Sequence, residues 1–172
     1  IDPIPMVQTN LATVYYYLGR YQDALTLYQA AVRTEPSNYT YHGNLADAYR
    51  MLQQHADAKF HYEKAIRLLE PKKPSGILLA ELAKYQFFVG NTDKAMEQLE
   101  DAVATAHNNP GTALIQAILL TAQRQTAAAI DASKRAIQLG YPATLLSVDP
   151  DLQPLTSSAE FRQLSQSTRN AP

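Results

Sequence analysis

The chain has no cysteine and no tryptophan among its 172 residues. Without thiols there is no disulfide, no thiolate zinc site and no cysteine nucleophile, and either redox compartment is compatible, so cytoplasm and periplasm both stay open. Excess charge of one sign is missing too: 15 Lys and Arg stand against 16 Asp and Glu, for a formal net charge of −1. The basic residues are scattered, which gives no field for a phosphate backbone and excludes nucleic acid as an expected ligand of this stretch. No apolar run is long enough to span a bilayer, and no signal-peptide or lipidation pattern occurs, so membrane insertion is not expected. HExxH, GxSxG, GxGxxG and phosphate-cradling loops are all absent, so no enzyme and no cofactor are expected. What remains, 46% hydrophobic and 18% charged residues, is enough to bury a substantial core.

Residues recur at a fixed interval. Ala12, Tyr15, Ala24, Tyr28 and Ala31 return 34 positions later as Ala46, Tyr49, Ala58, Tyr62 and Ala65, and Leu11 returns as Leu45. A period of that size marks a solenoid of stacked helix pairs. The spacing Leu-Ala-x-x-Tyr followed by Gly19, Tyr21, Ala24, Tyr28, Ala31 and Pro36 resembles the tetratricopeptide repeat. The resemblance implies an all-α, right-handed superhelix of four helix-turn-helix repeats, at about 5–38, 39–73, 76–109 and 110–142, with 143–172 as a capping extension.

Helical periodicity and stop signals predict the elements. Met6–Tyr17 and Tyr21–Thr34 form the first pair, with Gly19 in the turn and Pro36 as the stop. Small Ala12, Ala24 and Ala31 let backbones approach, and Tyr15 and Tyr28 fill the space between layers. Helices near Tyr41–Leu52 and Ala56–Leu69 follow. Gln53 replaces the turn glycine there, which predicts a turn of slightly different shape. The PKKPSG stretch reads as a loop and adds three residues to the period, as the 37-residue step from Ala58 to Ala95 shows. Helices near Ile77–Val89 and Thr92–Thr105, then Gly111–Gln123 and Thr126–Leu139, complete the array, the last pair replacing the tyrosines with Leu120 and Ser133.

After Gly140-Tyr141-Pro142 the period stops. Leu145, Leu146, Val148, Leu152 and Leu155 stand among prolines, and Ser157-x-x-Glu160 reads as a capping box opening a short helix with Phe161 and Leu164. Such a tail suits the apolar face that a last repeat exposes. It also resembles the extension that follows tetratricopeptide arrays in bacterial multidomain signalling proteins, which join the array to a kinase, a cyclase or a winged-helix regulator. Asp2-Pro3 looks like the close of a preceding repeat, which reads the chain as a piece of a longer protein.

Chemistry-bearing groups are few. His42 and His61 fall on opposite helices of one repeat, His55 in a turn and His107 in a loop, so no paired-histidine face is expected and solvated or cap-satisfying roles are. Asp47, Glu81, Glu97, Glu100 and Asp101 lie mostly on polar helix faces, where support at i, i+3 or i, i+4 is the default.

The resemblance implies a concave groove, lined by the first helix of each repeat, that receives an extended peptide or a partner helix. Helical spacing assigns to it Asn10, Thr13 and Tyr17, then Asn44, Asp47, Arg50 and Met51. Ala80, Glu81, Lys84, Phe87 and Phe88 follow, then Leu114, Ile118 and Thr121. Asn10 and Asn44 stand 34 apart, and family members that bind extended peptides often carry asparagine at this place, where one amide both donates to and accepts from a peptide backbone. Two readings of the pair stay open: ligand binding, or bonding to neighbouring helices. Thr9, Thr13, Ile77 and Glu81 stand where the family's carboxylate clamp has basic residues or asparagine, so that clamp is not expected. One of Phe87 and Phe88 is expected in the core, the other in the groove beside Lys84 and Met51; Tyr15 is expected to pack and Tyr17 to face the groove. The sequence thus predicts a non-catalytic protein-interaction module. The alternative is a sensory or regulatory domain that controls an attached output by ligand binding or self-association, and a homodimer through an exposed end face is compatible with either.

Overall fold

A computed structural model describes residues 4–166, the side chains of 165 and 166 excepted. All regular structure among the described residues is helical. The chain forms two compact units, Ile1–Pro74 with Tyr85–Ala95, and Ser75–Lys84 with Met96–Pro172.

The first unit is built on α1 (Pro5–Tyr17), α2 (Tyr21–Thr34), α3 (Tyr39–Met51) and α4 (His55–Leu69), followed by a 3₁₀ turn, Glu70–Lys72. Helices α5 (Ile77–Phe88) and α6 (Thr92–Thr105) each run through the division between the units. The second unit continues with α7 (Pro110–Ala122), α8 (Thr126–Gln138), α9 (Ala143–Val148), a 3₁₀ segment Pro150–Ser157 and α10 (Ala159–Gln166).

Local chemistry starts and stops these helices. The Asn38 side chain accepts from the N–H groups of Thr40 and Tyr41 at 3.1 and 3.3 Å, and Asn109 does the same for Gly111 and Thr112 at 2.9 and 3.1 Å. Each amide oxygen thereby satisfies two of the orphan donors of a helix N-terminus. His55 is the first residue of α4 and not part of a turn.

The turns inside helix pairs share one geometry. Gly19 and Gly90 adopt φ of 73° and 99°, and Gln53 and Arg124 adopt 60° and 62°. In each case the left-handed residue donates its N–H three residues back and the next residue donates five back, as Gly19 to Tyr16 with Arg20 to Tyr15, and Gln53 to Arg50 with Gln54 to Tyr49. The expected difference in shape at Gln53 is therefore corrected: the hydrogen bonds that close the turn hold a non-glycine residue in the same left-handed conformation.

In the first unit Ala12, Tyr16, Ala24, Leu25, Tyr28, Leu45 and Ala48 form one buried cluster. Tyr16, not Tyr15, is the buried ring of α1. Thr9, Ala12 and Tyr16 repeat at i, i+3 and i+7, one stripe of the helix, and Tyr15 lies about 100° away from it. Tyr15 and Tyr17 flank the cluster half-buried, and Arg20 covers the Tyr15 ring at 4.3 Å. Further along, Gly43 brings α3 so close to α5 that a Cβ there would lie 2.3 Å from Tyr85 Oη.

In the second unit the described tail packs onto α7 and α8, burying Leu146, Leu152, Leu155 and Phe161, while Leu145 and Val148 stay exposed. The capping residue of α10 is Ser158, whose Oγ accepts from Phe161 N–H at 3.5 Å. Ser157 instead closes the 3₁₀ segment by donating to Pro154 O, and Glu160 pairs with Lys134 on α8. The expected box is thus displaced by one residue, because the 3₁₀ segment runs on through Ser157.

Candidate functional site

Two hydrogen bonds, 34 residues apart, tie first helices to second helices. Thr13 Oγ1 donates to Thr9 O at 2.9 Å, so Tyr28 Oη, 2.9 Å from Thr13, is the donor between those two. One period later Tyr62 Oη donates to Asp47 Oδ1. Burial pushes both phenols up from their ordinary pKa, which keeps them protonated and able to donate.

Around Tyr62 the predicted residues of the first unit converge. Arg50 Nε donates to Tyr62 Oη at 3.1 Å, and its guanidinium lies 4.1 Å from the centroid of the Phe88 ring. Phe88 stacks on Tyr62 at 5.6 Å, and Phe87 meets Phe88 edge-on at 5.5 Å. Asp47 and Arg50 keep 14% and 19% of their side chains exposed. The result is a charged and aromatic patch whose side chains hold one another in place. Both phenylalanines are half-buried, so neither takes the fully buried place expected for one of them.

Asn10 is exposed and Asn44 half-buried. Thr13 is occupied by its two internal bonds, Tyr17 packs edge-on against Tyr16 at 5.8 Å, and Met51 lies against the core cluster. In the second unit, Lys84, Glu81 and Leu114 are half-buried. Ala80, Ile118 and Thr121 are buried, and Thr121 Oγ1 donates to Ala117 O. The apolar end predicted for the face is therefore largely interior, because α7 is apolar enough to be packed on several sides at once.

Sequence reasoning missed two things. Tyr62 stands in the sequence only as the recurrence of Tyr28, although the shared interval of Thr13 to Asp47 and of Tyr28 to Tyr62 signals a repeated bond. The histidines are a second correction. His42 is buried, and its ring lies with Nδ1 2.9 Å from Nδ1 of His61 and Nε2 3.0 Å from the Pro36 carbonyl oxygen. A carbonyl can only accept, so His42 Nε2 carries the proton, His42 Nδ1 accepts and His61 Nδ1 donates. His61 stacks on Tyr49 at 5.5 Å. Burial lowers the pKa of both imidazoles, that of His61 to about 4, so the pair is neutral at pH 7.

Residues 9–71 match the family model described as tetratricopeptide repeat. A search of curated proteins found no match. Among solved structures, the chain is similar to MamA protein at 13% identity, covering 96% of this chain and 91% of that one, TM-score 0.44. It is also similar to YrrB, titled a TPR protein with an unusual peptide-binding site, at 16% identity, covering 95% and 91%, TM-score 0.45. MamA 41-end from Desulfovibrio magneticus RS-1 is similar at 15% identity, covering 97% of each chain, TM-score 0.45. The 34-residue period, the helix pairs and the family match together show tetratricopeptide repeats over residues 9–71.

Proposed function

We propose that the chain is a non-catalytic interaction module that binds an extended peptide segment or a helix of another protein on the face of its first unit carrying Asn10, Tyr17, Asn44, Arg50 and Phe88. The observation that carries this reading is the Asp47–Tyr62–Arg50–Phe88 cluster. It fixes a cation, a carboxylate and two aromatic rings in place, which lowers the ordering cost of binding. In this reading Asn10 and Asn44 hold the peptide backbone, while Phe87 and Phe88 supply an apolar anchor. Backbone recognition by amides tolerates many sequences, so preference comes from the aromatic and charged positions.

The experiment is selection from a random peptide library on the purified chain, with Asn10→Ala/Asn44→Ala compared against the parent. Enrichment that the double substitution removes while the urea midpoint stays unchanged supports the reading. Enrichment indifferent to it, or lost only with the fold, returns both asparagines to a structural role.

A further inference from the structure

The fourth repeat departs from the other three on one side, and the departures surround a cavity. Counting back from Gln116 by 34, 37 and 34 residues reaches Leu82, Leu45 and Leu11, so a polar amide stands where each other repeat has leucine. The same steps lead from Ala128 to Lys94, Asp57 and Asp23, and from Ala132 to Gln98, His61 and Leu27. Two longer side chains are thus cut back to methyl groups. Gln116 and Leu120 stand about one turn apart on α7, and Ala128, Asp131, Ala132 and Arg135 follow i, i+3, i+4 and i+7 on α8. Together they line a cavity of about 300 Å³ within the second unit.

Arg135 meets no partner in that cavity. Its Nε and Nη2 atoms are shielded from solvent, and among the described residues no acceptor reaches them. The packing of a repeat does not call for an arginine there, since the equivalents are Asp101, Lys64 and Ala30. Asp131, four residues earlier, is the ordinary helical partner for such a cation. It lies instead 3.4 Å from Lys134 Nζ, with 76% of its side chain exposed, and Lys134 also pairs with Glu160. A guanidinium in this state is costly, because two of its donors have given up water and gained no acceptor.

We propose that the cavity is a carboxylate-binding site, in which Arg135 and Gln116 hold the acid group and Leu120, Ala128 and Ala132 seat a short aliphatic stem. The planar guanidinium offers parallel N–H donors that match the two oxygens of a carboxylate. Nη1 is not among the shielded atoms, so an entering carboxylate meets it first. A turn of the last torsions of the half-buried side chain then brings Nη2 alongside. The Gln116 amide donates a further bond to either oxygen. The volume is at the lower end of the range for small-molecule sites, about 300–1,000 Å³, which suits one acidic group and not a helix. That group comes from a free aliphatic acid or from a glutamate of a peptide chain. The site belongs to α7 and α8, and stands separately from the peptide face proposed for the first unit.

NMR titration of the ¹⁵N-labelled chain tests the site, read at the arginine Nε–H resonance that Arg135→Lys removes. Butyrate is the free acid and butyramide its uncharged control. Acetyl-Ala-Glu-Ala-amide carries the same group on a peptide, with the Gln peptide as its control. Each is added to roughly the tens of millimolar at constant ionic strength, a range suited to so small a ligand. Butyrate or the Glu peptide is expected to shift the Arg135 resonance saturably while the uncharged controls leave it in place, and the tighter of the two names the source. Ala132→Leu restores the residue of the first repeat and fills the cavity. It is expected to weaken binding at least about tenfold with Arg135 still present, circular dichroism confirming the fold. Gln116→Leu is expected to weaken it by a smaller factor. A shift that does not saturate, or that chloride reproduces, means an adventitious ion only and overturns the proposal. So do the absence of any shift, binding that survives Ala132→Leu, and an Asp131→Asn change that by itself displaces the resonance as far as the ligand does, since Asp131 would then be the partner.

Discussion

Gln53→Gly and Arg124→Gly should each make the protein more stable, although both remove a side chain. Gln53 and Arg124 hold φ at 60° and 62°, a conformation that costs a residue with a Cβ about 1–2 kcal/mol. Glycine removes that strain but loses about 0.5–1 kcal/mol more conformational entropy on folding. The difference is a net gain of roughly 0.5–1 kcal/mol per site. For a chain of this size that corresponds to about 1–4 °C in Tm. The two positions lie in different units, so the double variant should gain close to the sum, roughly 1–2 kcal/mol. The reciprocal control is Gly19→Ala. A Cβ at Gly19 meets nothing within 4 Å, so any loss there comes from φ alone, and it should be about 1 kcal/mol. Urea unfolding followed by circular dichroism reads all four variants. A Gln53→Gly midpoint at or below the parent's, together with a neutral Gly19→Ala, would refute the argument that backbone strain governs these turns.

Tyr62→Phe leaves Asp47 without its phenol donor and Arg50 Nε without its acceptor, and should cost about 1.5–3 kcal/mol in urea unfolding, as hydrogen bonds to charged groups do. Gly43→Ala drives a methyl into the Tyr85 ring, at 2.3 Å from Oη, and should cost about 1–3 kcal/mol or displace α5 locally, read by Tm and by tyrosine near-UV dichroism. Stability should fall as pH drops from about 6.5 toward 4, since the unfolded histidines take up protons there while folded His42 and His61, both lowered by burial, take them up only at lower pH. His61→Asn keeps a donor near the place of Nδ1 and cannot ionise, so its Tm should decline less steeply across that window; an unchanged slope would assign the acid sensitivity to other groups.

Helix positions were legible because their causes are local. Glycine in the first turn, proline at the first stop and alanines at i, i+7 placed α2 and α6 at their observed bounds and the remaining long helices within two residues. The turn at Gln53 was not legible, since a glycine-free sequence does not announce a left-handed residue that neighbouring hydrogen bonds enforce. Choosing between Tyr15 and Tyr16 required the register of the helix with Ala12 more than the identity of the ring. His42 and His61 stand 19 residues apart, a separation at which only the packing of α3 on α4 brings two rings together. At the candidate site, periodicity found Asp47, Arg50 and Phe88 as members of a face. It did not find that Tyr62 joins them, because a buried phenol is both a volume and a donor and the sequence shows only the volume.

The tail of the second unit sets what its last helix pair can stack on. Leu146, Leu152, Leu155 and Phe161 are buried where the tail packs on α7 and α8, and they occupy the side on which another helix pair would otherwise lie. To extend the solenoid from α8, a new pair would first have to displace those four side chains into water.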